Sequence, residues 1–412
     1  MQAEIRRSII SGSAQAPPSA PLSHRAIVLA TLSPGQTQIS GIPSLPGMQA
    51  TISACRALGA DIVQSGAIVD VFGPEGLAQP SEVGCADSNT TLKFMLPLCA
   101  SLGSEMNITA SSRLSGADLS PFLDFLTEAG AQASQSVSFP ARVKGPISLE
   151  EKLYLGGLGS QFLSGLLLCA PLLPGGSSIG IEGGVPGWQY VRETMIMMKE
   201  YGIEFYSDTH DFLSLPGGQV YLPPENIRVP ASSYLSSFLL LAGALSGKAT
   251  LKGSCDWQSH DHIFRAFGAG VTIRKHEISV SAGSLSGIEL EAEEAGLLLP
   301  HAIVLACASS GETSISGLAS VPRRLQARVS KLCRELGRMG AKITEEKGGL
   351  SITGGKLAGA KVTPDGDAAV AMAVAAAAVC ASGPTAIDGA ECVERTYPNF
   401  FRDLVSLGAI VR

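Results

Sequence analysis

Six glycines each follow a helix-like stretch and lead into an apolar β-like run: Gly59 in ALGADI, Gly130 in EAGAQA, Gly202 in EYGIEF, Gly268 in AFGAGV, Gly340 in RMGAKI and Gly408 in SLGAIV. A second punctuation alternates with the first, where a β-like run ends in a small residue at Gly41, Ala110, Gly183, Gly253, Gly317 and Gly389. A repeat of about 70 residues is too long for a solenoid unit and implies a subdomain copied six times. Each glycine of the first set fits the position after a helix end, where a positive φ carries no Cβ penalty. Strand runs such as QTQISGI, KATLKG and ETSISGL alternate with helical patterns at 88–102, 160–172, 188–202, 232–246 and 323–339. The expected class is therefore α/β.

A chain of 412 residues is long enough for two domains. The Pro-rich stretches at 16–21 and 222–230 are the natural breaks. They divide the chain into one discontinuous domain, 1–18 plus 226–412, and a second, 19–225. Two crossings between two globes predict a hinge and an interdomain cleft, the usual place for a ligand. Apolar residues make up 45% and charged residues 16%, which argues for large cores and against disorder. The net charge of −6, with no basic block interleaved with aromatics, speaks against a nucleic-acid surface. Apolar stretches such as 368–380 are too short to span a membrane.

Nine scattered cysteines without a CxxC pair read as reduced, buried thiols of a cytoplasmic protein. Residues 1–10 read as a strand and not as a signal peptide. No metal and no cofactor is expected. The Ser-His260-Asp-His262 run lacks a third ligand at useful spacing and reads as a turn with a helix N-cap. Gly156-Gly-Leu-Gly159 lacks the third glycine of a dinucleotide fingerprint. The expected partner is a small molecule, and a monomer is the default.

The segment Ala16-Pro-Pro-Ser-Ala-Pro-Leu-Ser-His-Arg25 resembles the Gly/Pro-Ser-Lys-Ser-x-Ser-His-Arg signature of the enolpyruvyl transferase family, most closely its 5-enolpyruvylshikimate-3-phosphate synthase branch. Further matches follow in order along the whole chain: Asp87-Ser-Asn-Thr-Thr-Leu-Lys93-Phe, Gly159-Ser-Gln-Phe-Leu, Tyr190 with its helix, and Arg395-Thr-Tyr-Pro-Asn-Phe-Phe. The resemblance implies two domains, each an inverse α/β barrel of three βαβαββ units. It also implies substrate-binding roles for Arg25, Ser160, Gln161, Tyr190, Arg324, Arg328 and Arg395, with Arg25 on a ring carboxylate.

Several family positions are changed. The signature lysine is Ala20, two arginines are Ala117 and Ala369, an asparagine is Asp87, an arginine is Lys93, two phosphate-binding serines are Gly159 and Gly187, and an acidic residue is Leu297. At about 1.5–3 kcal/mol per charge-assisted bond, three lost cations remove roughly 5–9 kcal/mol. Asp87 adds a negative charge beside the expected anion site. Asp87, Asp367 and Lys93 are then the candidate catalytic groups, with Asp87 equally readable as an N-cap and Asp365 as a further base. The leading expectation is an enzyme acting on an unphosphorylated carboxylate, by rearrangement, elimination or cyclisation without phosphoenolpyruvate. Two alternatives stay open: the family's own transfer to 3-phosphoshikimate, and a non-catalytic binding protein.

Overall fold

The computed structural model describes every residue except 112, 115, 117 and 136–138. The chain divides into a continuous unit, Pro18–Val229, and a composite unit, Met1–Pro17 with Pro230–Arg412. Among the described residues each holds three four-stranded mixed sheets, and all six sheets follow one plan. A parallel pair at one edge is followed by two antiparallel pairings. In one sheet, Glu82–Gly84 runs parallel to Glu105–Thr109, which pairs antiparallel with Ala141–Lys144 and so onward to Gln132–Gln135.

Strand Gln2–Arg6 lies between Thr385–Asp388 and Ile410–Val411, the place that the last strand of every other repeat holds. The sixth repeat is thus completed by the first residues of the chain. Edge strands are exchanged in the same way. Ser13–Gln15 pairs parallel with Lys248–Lys252 in the composite unit, and Asn226–Arg228 with Gly35–Ser40 in the continuous one.

The continuous unit contains α1 (Ala20–Leu32), α2 (Pro46–Ala57), α3 (Asn89–Ala100), α4 (Ser120–Glu128), α5 (Gly159–Cys169) and α6 (Trp188–Glu200). The composite unit contains α7 (Ser233–Ser246), α8 (His262–Ala266), α9 (Ala292–Ala295), α10 (Leu299–Ala308), α11 (Arg323–Arg338), α12 (Ala368–Ala378) and α13 (Phe400–Ser406). Helices α1, α3, α5, α7, α10 and α12 are apolar around nearly their whole circumference and are buried accordingly. In contrast, α11 buries one stripe, Leu325, Val329, Leu332 and Leu336, and turns most of its charges outward.

The six glycines that end the amphipathic helices all lie at φ between +80° and +103°, so a side chain at any of them would strain the turn into the next strand. A different constraint acts at Gly165 in α5. A Cβ there would lie 2.7 Å from the Lys93 carbonyl oxygen and 2.8 Å from Pro97 Cγ in α3. Pro97 cannot donate to the Lys93 carbonyl four residues back, and α5 passes at this point with only a hydrogen for a side chain. Among the described residues no helix is long and apolar enough to cross a membrane.

Candidate functional site

Three buried helices of the continuous unit begin around one pocket of about 360 Å³. Ser19 caps α1 by accepting from Leu22 N at 3.4 Å, and Ser88 caps α3 by accepting from Thr91 N at 3.2 Å. Helix α5 starts at Gly159, φ +74°, without a side-chain cap. Helix N-termini carry unsatisfied N–H groups and roughly half a positive charge each, so their convergence favours an anion.

Arg25 reaches this pocket from α1 and is almost wholly buried. Its Nε donates to Thr194 Oγ1 at 2.5 Å, Nη1 to the Pro21 carbonyl at 2.8 Å and Nη2 to Ser164 Oγ at 2.8 Å. Those bonds use three of its five N–H donors, all on neutral oxygens. Burial lowers its pKa to about 10, against the opposing pull of Glu193 and Tyr190, so it stays charged at neutral pH. The guanidinium also lies 5.2 Å from the Phe94 ring centroid and 5.8 Å from that of Tyr190.

Lys93 contributes the second cation, with its Nζ 4.9 Å from the Phe122 ring centroid and its pKa lowered by burial. Gln161 stitches α5 to α3: its amide nitrogen donates to Thr90 Oγ1 at 2.7 Å, and its oxygen accepts from Asn89 at 3.2 Å. Ser160 and Tyr190 line the same pocket, and burial raises the Tyr190 pKa. A Cβ at Gly187, φ +79°, would lie 2.9 Å from Ser160 Oγ, so the backbone here approaches the pocket closely.

Asp87 is placed differently from either expectation. Ser88 is the cap of α3, and Asp87 is exposed, accepts a hydrogen bond from Ser111 and does not line the pocket. Nor does its charge stand against Arg25 or Lys93 in that lining. In the composite unit, Asp367 caps α12, with Oδ1 accepting from Ala369 N at 2.9 Å and Val370 N at 3.2 Å. Arg328 Nε donates to both Asp367 oxygens at 3.1 and 3.0 Å. The carboxylate offered as a replacement base therefore already closes a helix end and an ion pair. Asp365 pairs with Arg334 at 2.5 Å. Arg324 and Arg395 are exposed, and Leu297 is 37% exposed in a short turn before α10. Ala117 lies outside the described residues.

The Ser-His-Asp-His run bridges the end of a short 3-10 turn, Trp257–His260, and the start of α8 at His262. Asp261 there binds Arg265 at 2.6 Å instead of capping the helix with its side chain. Among the described residues, no three His, Cys, Asp or Glu side chains group to hold a metal. The sequence reading missed Thr90, Ser164 and Thr194, whose hydroxyls hold Gln161 and Arg25. Thr90 stood inside a quoted motif; Ser164 on apolar α5 and Thr194 on amphipathic α6 are isolated hydroxyls and carry no pattern of their own.

The model of the EPSP synthase (3-phosphoshikimate 1-carboxyvinyltransferase) family matches residues 6–404. The chain belongs to the EPSP synthase family. A 3-phosphoshikimate 1-carboxyvinyltransferase of Methanothrix thermoacetophila is 34% identical over 427 residues, covering 100% of this chain and 99% of its own. One from Methanocorpusculum labreanum is 31% identical, with both chains covered fully. Among solved structures, EPSP synthase from Acinetobacter baumannii superposes with a TM-score of 0.88 at 22% identity, over 100% of this chain and 99% of that one. The enolpyruvyl transferase NikO from Streptomyces tendae gives 0.79 at 15% identity, over 100% and 98%. The last two show the shared two-domain inverse α/β fold.

These relatives overturn the expectation of an unphosphorylated substrate and a reaction without phosphoenolpyruvate. Similarity at this level spans the whole chain of enzymes named for 3-phosphoshikimate. Losses of single charges within one site do not add, so a sum over three missing cations overstates the deficit. Such a sum also leaves out the three helix N-termini, which supply positive potential without any side chain.

Proposed function

We propose that the chain is a 3-phosphoshikimate 1-carboxyvinyltransferase. In this reaction the 3-phosphoshikimate hydroxyl oxygen bonds to the enol carbon of phosphoenolpyruvate. The bond from that carbon to the phosphate oxygen breaks, and phosphate leaves with the hydroxyl proton. The observation that carries the reading is the convergence of three helix N-termini with Arg25 and Lys93 on one pocket, in a chain whose relatives carry that name along their full length.

Both substrates are anions, and each residue has a role that follows from its place. Arg25 holds the ring carboxylate with its remaining donors, flanked by Gln161 and Tyr190. Ser160 and the first turn of α5 receive the phosphate. Lys93, its charge destabilised by burial, balances negative charge that builds up during transfer. Arg324, Arg328 and Arg395 serve the second anion. Free, mostly buried cysteines go with a cytoplasmic setting.

The test is phosphate release from purified protein given 3-phosphoshikimate and phosphoenolpyruvate together, with each substrate alone as control. Release that needs both supports the reading. Absence of both phosphate release and calorimetric binding of 3-phosphoshikimate would sink it.

A further inference from the structure

His24 and Arg25 are consecutive on α1 and therefore point about 100° apart. Arg25 turns toward α5 and α6; His24 turns toward α2 and α3. His24 Nδ1 lies 2.6 Å from Thr51 Oγ1 on α2, Thr51 Oγ1 lies 2.7 Å from Thr91 Oγ1 on α3, and Thr91 Oγ1 donates to Ser88 Oγ at 2.7 Å. All four side chains are buried.

With Thr91 as the donor to Ser88 the chain takes one proton order, in which Thr51 turns its proton to Thr91 at 2.7 Å and not to the Gly47 carbonyl at 3.4 Å. Thr91 gives its only hydroxyl proton to Ser88, so it accepts from Thr51. Thr51 has then used its own proton and accepts from His24. In that order His24 is the neutral tautomer with the proton on Nδ1. Burial, reinforced by the Arg25 charge, lowers the His24 pKa to about 3, so the donor arrangement persists at neutral pH. Beyond Ser88, the first turn of α3 carries Thr90 and Lys93 into the pocket, and Thr90 holds Gln161 of α5. Ser164 of α5 returns the connection to Arg25. The polar ring that begins at His24 thus closes one residue away.

We propose that His24 is a positioning residue which, through Thr51 and Thr91, fixes the start of α3 and so sets Lys93 and Thr90 against Arg25. It touches no ligand itself. The inference rests on the pocket being the site of the proposed transfer. It adds that affinity for 3-phosphoshikimate depends on hydroxyls that never meet it.

The test uses Thr51→Val, which keeps shape and removes the central hydroxyl, with Thr51→Ser as the conservative rescue. Thr250→Val, at a hydroxyl pair with Ser279 in the composite unit, is the control. His24→Asn and His24→Leu form a second pair, one keeping a donor near the Nδ1 position and one lacking it. Breaking the chain, at two hydrogen bonds in Thr51→Val and at one in His24→Leu, should raise the 3-phosphoshikimate KM about 3- to 10-fold. The serine and asparagine variants should stay within about two-fold of the parent, and kcat should change less than KM in all of them.

Hydrogen exchange gives a readout that needs no substrate. Amides 89–93 should exchange faster in Thr51→Val, while 96 and 98–100 of the same helix stay protected. A lowered Tm with unchanged KM and unchanged exchange at 89–93 would make the network merely structural and overturn the proposal. If the parent protein binds no 3-phosphoshikimate, the functional reading fails, and exchange alone decides for or against the positioning role.

Discussion

The two units build their buried helices on one plan and cap the first of them alike, with Ser19 and Ser232, but they close other helix ends differently. In the continuous unit α1 and α3 are capped by neutral serines, and two cations join them at the pocket. In the composite unit, α12 is capped by the carboxylate of Asp367, which also takes Arg328. A second carboxylate there, Glu335, is fully buried and accepts from Arg334, Arg338 and Thr363 N at 2.7–2.9 Å. A neutral cap satisfies N–H groups and leaves the helix potential in place, whereas a charged cap cancels it. The same scaffold therefore leaves its positive helix ends open around the pocket and neutralises the one at α12.

The largest expected effect comes from the two arginines. Arg25→Met keeps the aliphatic stem and should weaken 3-phosphoshikimate binding by about 100-fold, equivalent to about 3 kcal/mol. Arg328→Met should leave that affinity within about two-fold, because its partner is the Asp367 carboxylate. It should instead lower unfolding stability by about 1–2 kcal/mol by leaving a half-buried carboxylate unpaired. Calorimetry and urea titration of both variants separate the roles. Equal affinity losses would break the distinction between the units.

Next comes the crossing of α5 over α3. Gly165→Ala puts a methyl group against the Lys93 carbonyl and Pro97, both of them parts of the helix that carries Lys93 into the pocket. An overpacked contact of this kind costs about 1–3 kcal/mol. We expect about 2 kcal/mol in urea unfolding, together with weaker 3-phosphoshikimate binding. The opposite substitution class makes the contrast: Gly337→Ala in α11, where a Cβ meets no atom within 4 Å, should stabilise slightly or do nothing. A tolerated Gly165→Ala would show that α3 and α5 are free to separate.

The sequence pattern carries the scaffold because its signals are local. Gly202 and Gly340 mark helix ends whatever surrounds them, and the patterns at 188–202 and 323–339 become α6 and α11 with boundaries shifted by one or two residues. The site is harder to read, since its chemistry depends on which oxygen meets which proton across helices. Arg25 stood in a recognisable motif, but its hydroxyl partners Ser164 and Thr194 lie 139 and 169 residues away. Asp87 illustrates the limit from the other side. A carboxylate one residue before a helix reads as a cap, yet Ser88 takes that place because its shorter side chain already meets Thr91 N. Asp367 reads as an acid or base until α12 and Arg328 are seen to share it.

The buried histidines sharpen the comparison by pH. His24 in the continuous unit and His301 in the composite unit each have a pKa lowered to about 3, His24 by burial and then Arg25, His301 by burial and then His260 and Arg328. Above pH 6.5 neither state of the protein protonates them, and their contribution is complete. Below pH 6.5 the unfolded chain takes up protons that the folded chain refuses, so stability falls as pH drops from about 6.5 toward 3. The slope is at most about 1.4 kcal/mol per pH unit for each histidine. His24→Asn and His301→Asn should each remove one such share from the urea-unfolding profile between pH 6.5 and 4.5. A profile unchanged in both would mean that these side chains are hydrated in the folded state.

The smallest effects come from the serine caps, where the two units are nearly matched. Ser19 accepts from Leu22 N at 3.4 Å and Ser232 from Leu235 N at 3.2 Å, each at the start of a buried first helix. Removing either hydroxyl should cost about 1 kcal/mol of stability. If helix potential alone made a ligand site, both ends would be equivalent, and Ser19→Ala and Ser232→Ala would differ only by chance in 3-phosphoshikimate affinity. Ser19, however, sets the turn from which Pro21 and Arg25 enter the pocket, and its own carbonyl accepts from Ser23 N at 2.9 Å. Loosening that turn should weaken binding by about 2- to 5-fold in Ser19→Ala, with no change in Ser232→Ala at the same loss of stability. A shared stability loss with divergent affinity is the signature of one scaffold serving two purposes.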